Sequence, residues 1–307
     1  MDFVAAIKKW GMFVVPAVAV CELGLHFHQV SSVVPGEDWD RAKAEVEKKV
    51  KPDDLVAFAP RWVDPIGREH FGPGIATLER EAYPDVTRFP RAIEVGIRGE
   101  HLADLAGWKE VEREKVGAIT ITTLANPSPV TLRDDLLNHV GKQDMHVELD
   151  GAAGPRECTF GRYGVQTGGL GFGPAVPAMR YQCGSAFAGV TILPDLDYRP
   201  RRCIYAPAQG SGNVVRLRAT SFAFGQVLHG HHGLYAEAER DKKGAPVELT
   251  LRSGDKTFGR VVHRDGEGWK GFELDTSELA GQTGELDVEV TSVSRDRRMY
   301  CFEVDAR

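Results

Sequence analysis

Three groups of residues in this sequence could do chemistry. In Asp265-Gly266-Glu267-Gly268-Trp269 two carboxylates stand beside an indole. That set suits sugar recognition, in which an apolar sugar face stacks on the ring and the acids accept hydroxyl hydrogen bonds. The glycines alone would explain a tight hairpin, and a large aromatic is as readily covered by a loop or a neighbouring domain. The two acids are too few to define a calcium site. His229, His231 and His232 stand in Leu228-His-Gly-His-His-Gly233. A metal needs three or four converging ligands, and His-x-His on a strand offers two. With no third ligand in sight, the segment reads as a solvated Gly-rich turn, and no metal site is expected. Asp64, Arg68, Glu69 and His70 could converge at a strand end of an α/β unit, where ligands often sit. Helix capping by Asp64 and surface ion pairing explain them equally well.

Other signatures are absent. The Gly-rich run Gly168–Gly173 lacks a following Lys-Ser/Thr and opens no helix, so it does not read as a phosphate cradle. There is no Gly-x-Ser-x-Gly and no His-Glu-x-x-His. No catalytic residue and no cofactor is expected from motifs. A glycosidase carboxylate pair, which need not be close in sequence, would escape this search.

Elements must hold these groups in place. Trp39, Ala42, Val46 and Val50 recur at helical spacing, predicting a helix over 38–50 that Asp38 caps and Pro52 ends. Leu55–Ala59 reads as a buried strand, and Asp64-Pro65 opens a helix through His70. Gly117–Leu124 reads as a strand, Thr131–Val140 as a helix stopped by Gly141, and Met145–Leu149 as another strand. That β–α–β order predicts a parallel pair with a right-handed crossover. Beyond Asp150 the pattern changes. Val247, Leu249 and Leu251 alternate with polar residues, as do Leu286, Val288 and Val290. Further strands are expected at Val214–Arg218, Ser221–Phe224, Phe258–His263, Lys270–Leu274 and Met299–Val304. Trp269 is at odd spacing from Phe272 and Leu274, so it should point to the opposite face of its strand.

The expected fold is therefore a multidomain α+β chain: an N-terminal membrane helix over 1–35, an α/β sandwich over 36–150, a disulfide-closed Gly/Pro-rich connection over 151–200, and an antiparallel β-sandwich over 201–307. A jelly roll with adjacent first and last strands fits the last part.

The N-terminus sets the expected compartment. Lys8 and Lys9 precede an apolar run from Trp10 to Leu25, interrupted by Glu22 and containing Pro16. As one helix it spans about 24 Å, short of the ~30 Å bilayer core, with lysine snorkelling and Trp10 at the interface to extend it. A cleaved signal peptide and an ordinary buried helix compete with this reading. No small-x-small cleavage site follows promptly, and the acidic flank Glu37, Asp38, Asp40 favours an uncleaved signal anchor with the bulk outside. The expected location is thus the inner membrane, single-pass, with an extracytoplasmic body. Apart from Cys21 the cysteines are Cys158, Cys183, Cys203 and Cys301, without metal spacing. Cys203 and Cys301 fall opposite Ile204 and Phe302 in their strands, so adjacent strands would bring the sulfurs together. The expected pairs are Cys203–Cys301 and Cys158–Cys183.

Two resemblances accompany this reading. Asp38-Trp39, Lys51-Pro52-Asp53-Asp54-Leu55-Val56 and Ala59-Pro60 resemble extracytoplasmic segments of polyprenyl-phosphate-dependent glycosyltransferases, over residues 37–72 only. Asp265–Trp269, Phe272, Asp275-Thr276 and the closing Cys301-Phe302 are similar in pattern to galactose-binding-like jelly rolls. The chain lacks the many spans and loop carboxylates of those transferases, so no catalytic residue carries over. Composition excludes other classes. A net charge of −6 with no basic stripe leaves nucleic acid without a footprint. Gly 34 and Pro 17, about one residue in six, favour short strands and turns over a helical bundle. The leading functional expectation is a membrane-anchored binding protein whose partner is a carbohydrate or an envelope protein, in envelope glycan assembly. A glycan-acting hydrolase or transferase and a purely structural role are the alternatives.

Overall fold

The computed structural model describes residues 3–31, 33–164, 174, 176–210 and 212–307, with side chains from 13 to 27 and from 33 onward within those ranges. The run Gly168–Gly173 lies outside them.

Helix α1 (Phe3–Ser31) runs through Pro16, and its side chains from Phe13 to Phe27 are all exposed. Among the described residues no helix is long and apolar enough to cross a membrane. The N-terminal membrane helix expected from the sequence is therefore not supported.

Helix α2 (Gly36–Lys49) buries Trp39, Ala42 and Val46, the face its spacing predicted. Its N-cap is Pro35 rather than Asp38. Asp38 instead accepts the Ala118 N–H at 2.8 Å and pairs with Arg41, tying the helix to the sheet beneath. That sheet runs β1 (Leu55–Ala59), β2 (Arg91–Ile97), β4 (Ile119–Ala125), β3 (Lys109–Val116). Its parallel pair is β1 with β2, bridged by α3 (Asp64–Phe71) and α4 (Leu78–Glu81). The expected parallel partnership of Gly117–Leu124 with Met145–Leu149 does not form, because β4 runs antiparallel to both its neighbours.

The remaining strands make a β-sandwich. They are β5 (Asp134–Asp135), β6 (Met145–Asp150), β7 (Arg156–Glu157), β8 (Thr159–Arg162), β9 (Met179–Cys183), β10 (Ala186–Pro194), β11 (Pro200–Tyr205), β12 (Val214–Ala223), β13 (Val227–Leu234), β14 (Val247–Ser253), β15 (Lys256–His263), β16 (Lys270–Asp275), β17 (Thr283–Ser292) and β18 (Tyr300–Ala306). Among the described residues one sheet has the order β16-β13-β18-β11-β10-β9-β8, with β5 also on β18. The other has the order β15-β14-β17-β12-β6-β7. Leu249, Leu251, Val288 and Val290 from one sheet and Phe302, Val304 and Leu228 from the other share one fully buried core.

The expected helix over Thr131–Val140 is replaced by the β5 stub and a single 3-10 turn, Leu136–Asn138. Tertiary contacts override the helical spacing there. The Arg133 N–H donates to the Ala306 carbonyl, Asp135 pairs with Asp305 and caps the Leu137 N–H, and Leu136 and Leu137 sink into the core. Strand β6 pairs with β12 in the six-stranded sheet, and β8 to β10 within 151–200 belong to the eight-stranded one.

Both expected disulfides form, Cys203–Cys301 as strand parity implied and Cys158–Cys183 as the remaining pair, and Cys21 is free. Ile204 lies opposite Phe302 in the β11–β18 register and faces the core. Cys203 and Cys301 meet on the other face.

Candidate functional site

The outer face of the eight-stranded sheet carries the histidines. They do not sit in a solvated turn, as the glycines around them suggested, but within β13. Alternation turns Leu228, Gly230, His232 and Leu234 inward and His229 and His231 outward. On β18 the inward residues are Phe302, Val304 and Ala306, which leaves Glu303 and Asp305 beside the two histidines. The register sets His231 against Glu303, with Nδ1 2.6 Å from Oε1, and His229 against Asp305, with Nδ1 3.8 Å from Oδ2. Ligand atoms of His229, His231 and Glu303 all lie within 4.8 Å of one another. This third group, 72 residues from His231, is invisible until the strand order is known. Burial pushes His231 down to about 4 and pushes Glu303 well up, Glu303 further so by Asp305 and Asp135. His232 lies on the other face, hydrogen-bonded to the Tyr300 hydroxyl.

The Asp265–Trp269 group is not convergent. Asp265 holds Arg298 at 2.6 Å and accepts the Gly244 N–H at 2.7 Å. Glu267 accepts the Arg264 N–H and pairs with Lys270 at 3.2 Å. Trp269 does face outward from its strand, as parity required. It lies on Gly233, where a Cβ would stand 2.5 Å from its Cε3, and packs on the patch of Leu193, Tyr205 and the Cys203–Cys301 disulfide. Its ring covers the disulfide rather than offering an open platform.

At the carboxyl end of β1, Arg68 donates from Nε to Asp64 at 2.7 Å and approaches Glu81 at 3.5 Å. His70 is elsewhere, stacked on Trp39 at 5.6 Å, with Asp40 3.9 Å away. Glu81, which no sequence motif marked, is pushed up to about 9. Burial is the main cause, a hydrogen bond and charge from Asp64 add to it, and Arg68 and Arg61 oppose it. Folding therefore retains a proton at Glu81 that the unfolded chain releases near 4.5. Its stabilising contribution is complete below about pH 4.5 and is lost as pH rises toward about 9. Melting temperatures should fall across that window. Glu81→Gln should flatten part of the decline, and an identical pH slope in the variant would count against the assignment.

A groove on the open face of the four-stranded sheet was missed by motif search. The registers of β2, β4 and β3 set Glu94, Thr122 and Arg113 in one row across three strands. The loop after β2 returns over this row through the turn Ala103–Leu105 and brings half-buried Trp108 to its edge. The cavity of about 370 Å³ is lined by Glu94, His101, Trp108, Glu110, Arg113 and Thr122 among others. Buried Glu94 is pinned by the Leu102 N–H at 2.7 Å and by His101 Nδ1 at 2.5 Å. Exposed Glu110 and Arg113 pair at 2.6 Å. A second groove of about 380 Å³, lined by His146, Glu148, Glu157, Arg218 and Glu285 on the six-stranded sheet, has no Trp, Tyr or Phe among its lining residues. The only sequence trace of the Trp108 groove is a His and a Trp in one loop between strands.

No family model matches this chain. No curated protein matches it either. Among solved structures it is similar to the CBM51-2 and INT domains of Clostridium perfringens ZmpB with GlcNAc, at 12% identity over 63% of this chain and 45% of that one, TM-score 0.30. It is also similar to the M60 catalytic domain with CBM51-1 and CBM51-2 of the same protein, at 13% identity over 63% and 22%, TM-score 0.30. A third is TmCBM27, a carbohydrate-binding module described for mannan recognition, at 11% identity over 41% and 85%, TM-score 0.26. The chain thus spans less than half of the first two structures. Likeness of this degree carries no argument about ligand or fold, and none of these three is a polyprenyl-phosphate-dependent glycosyltransferase.

Proposed function

We propose that this chain is an extracytoplasmic binding protein that takes a carbohydrate in the Trp108 groove. The observation that carries the reading is the meeting of one half-buried indole with exposed Glu110 and Arg113 over a floor of Glu94 and Thr122. A pyranose has an apolar face that stacks on an indole and vicinal hydroxyls that match a carboxylate and a guanidinium fork. The groove volume falls within the range of small-ligand sites, roughly 300–1,000 Å³. Glu94 is already satisfied by His101 and Leu102, so it shapes the floor while Glu110 and Arg113 exchange partners with ligand.

Export is supported by the two disulfides, since such bonds persist in oxidising compartments and are rare in the cytosol. An envelope polysaccharide is the carbohydrate such a location would present. The hydrolase alternative gains nothing from Asp64 and Glu81, because both are engaged by one guanidinium: Arg68 Nε donates to Asp64 at 2.7 Å and lies 3.5 Å from Glu81.

A glycan array probed with the purified full chain tests the reading. Binding to at least one oligosaccharide class, without its cleavage, is the expected result. An array blank at tens of micromolar protein would remove carbohydrate as the ligand class.

A further inference from the structure

We propose that His229, His231 and Glu303 form a binding site for one divalent transition cation, with Zn2+ the best suited. Two imidazoles and a carboxylate are a common donor set for this ion, and the imidazoles disfavour Ca2+ and Mg2+. The backbone fixes the donors before any ion arrives. His229 and His231 are two residues apart on β13, and Glu303 faces them from hydrogen-bonded β18.

Their ligand atoms lie within 4.8 Å of one another. Zinc bonds of about 2.0–2.2 Å place tetrahedral ligands roughly 3.3–3.5 Å apart, so side-chain rotations of about an ångström close the site. A separate observation points the same way. His229 Nδ1 is buried without a hydrogen-bond partner, a costly state that a bound cation relieves.

The surroundings fit. Asp305 lies 3.8 Å from His229 Nδ1 and is held by Arg307 at 2.6 Å, where it can orient the ring or join as a fourth ligand. The nearby cations are already committed, Arg201 to Asp195, Arg307 to Asp305 and Asp85, and Arg88 to Asp135. The imidazoles stay reachable, with side chains 12% and 17% exposed. Gly271 opposite His231 keeps the approach clear, since even a Cβ there would stand only 3.3 Å from the ring.

The test is calorimetric titration of the chelator-stripped full chain with Zn2+. One ion per chain is expected, with a raised melting temperature. His231→Ala and Glu303→Gln should each weaken binding at least about tenfold, while His146→Ala, on an exposed histidine of the other sheet, should not. Where a variant fails to fold, Cu2+ loaded on the unaltered chain gives a readout free of substitutions. Its electron paramagnetic resonance should show two coordinating imidazole nitrogens. Absence of one-to-one binding, binding indifferent to the His231 and Glu303 changes, or a copper signal with fewer than two nitrogens would overturn the assignment.

Discussion

Replacing Arg298 by alanine is expected to lower the unfolding free energy by about 3–5 kcal/mol, the cost of orphaning one member of a buried ion pair. The Arg298 side chain is 0% exposed. Its Nη1 donates to Asp265 Oδ1 at 2.6 Å and to the Ala245 carbonyl at 2.9 Å, and its Nε donates to the Asp296 carbonyl at 3.1 Å. The alanine variant leaves the Asp265 carboxylate buried without its cation and opens a cavity against Gly244. Lysine restores the charge but not the fork, so Arg298→Lys should recover only part of the loss. Equilibrium urea unfolding measures both. A loss below about 1 kcal/mol for Arg298→Ala would show that the pair contributes no more than an exposed one.

Removing the Cys203–Cys301 bridge as a double alanine variant should cost about 4 kcal/mol, somewhat more than removing Cys158–Cys183. The first joins residues 98 apart in sequence and the second residues 25 apart. Closing a longer loop restricts the unfolded chain more, and for this pair of loops the difference is about 1 kcal/mol. Cys203 and Cys301 are also fully buried beneath Trp269, so their loss disturbs packing as well. Urea unfolding of the two double variants checks the order. Alkylation gives a companion count: the native oxidised chain should label only at Cys21, and all five cysteines after unfolding and reduction. Labelling of four buried thiols without reductant would contradict both bridges and the proposed compartment.

What could be read from the sequence was what a strand states about itself. Val247-Leu249-Leu251 and Leu286-Val288-Val290 announce one buried face by alternation, and both are fully buried. The same period placed Cys203 and Cys301 opposite Ile204 and Phe302, which was enough to pair them. What escaped depends on register between distant segments. β13 looked like a turn because of Gly230 and Gly233, yet those glycines are where Phe272 and Trp269 press on the strand. Glu303 joins His231 only through the β13–β18 register. The Trp108 groove needs the order β2-β4-β3, which is not the order of the chain. Thr131–Val140 carried a true apolar spacing, but β18 claimed its backbone through Arg133 and Asp135. The apolar N-terminal run did form a helix, though not one that qualifies as a membrane span.

The most direct test of the groove is calorimetric titration of the best array glycan into the full chain and into Trp108→Ala and Trp269→Ala. The groove reading predicts at least a tenfold weaker affinity, about 1.4 kcal/mol, for Trp108→Ala alone. Trp108→Phe should keep part of the binding, and melting temperatures should confirm that each variant is folded. Unchanged affinity in a folded Trp108→Ala, or a loss confined to Trp269→Ala, would contradict it.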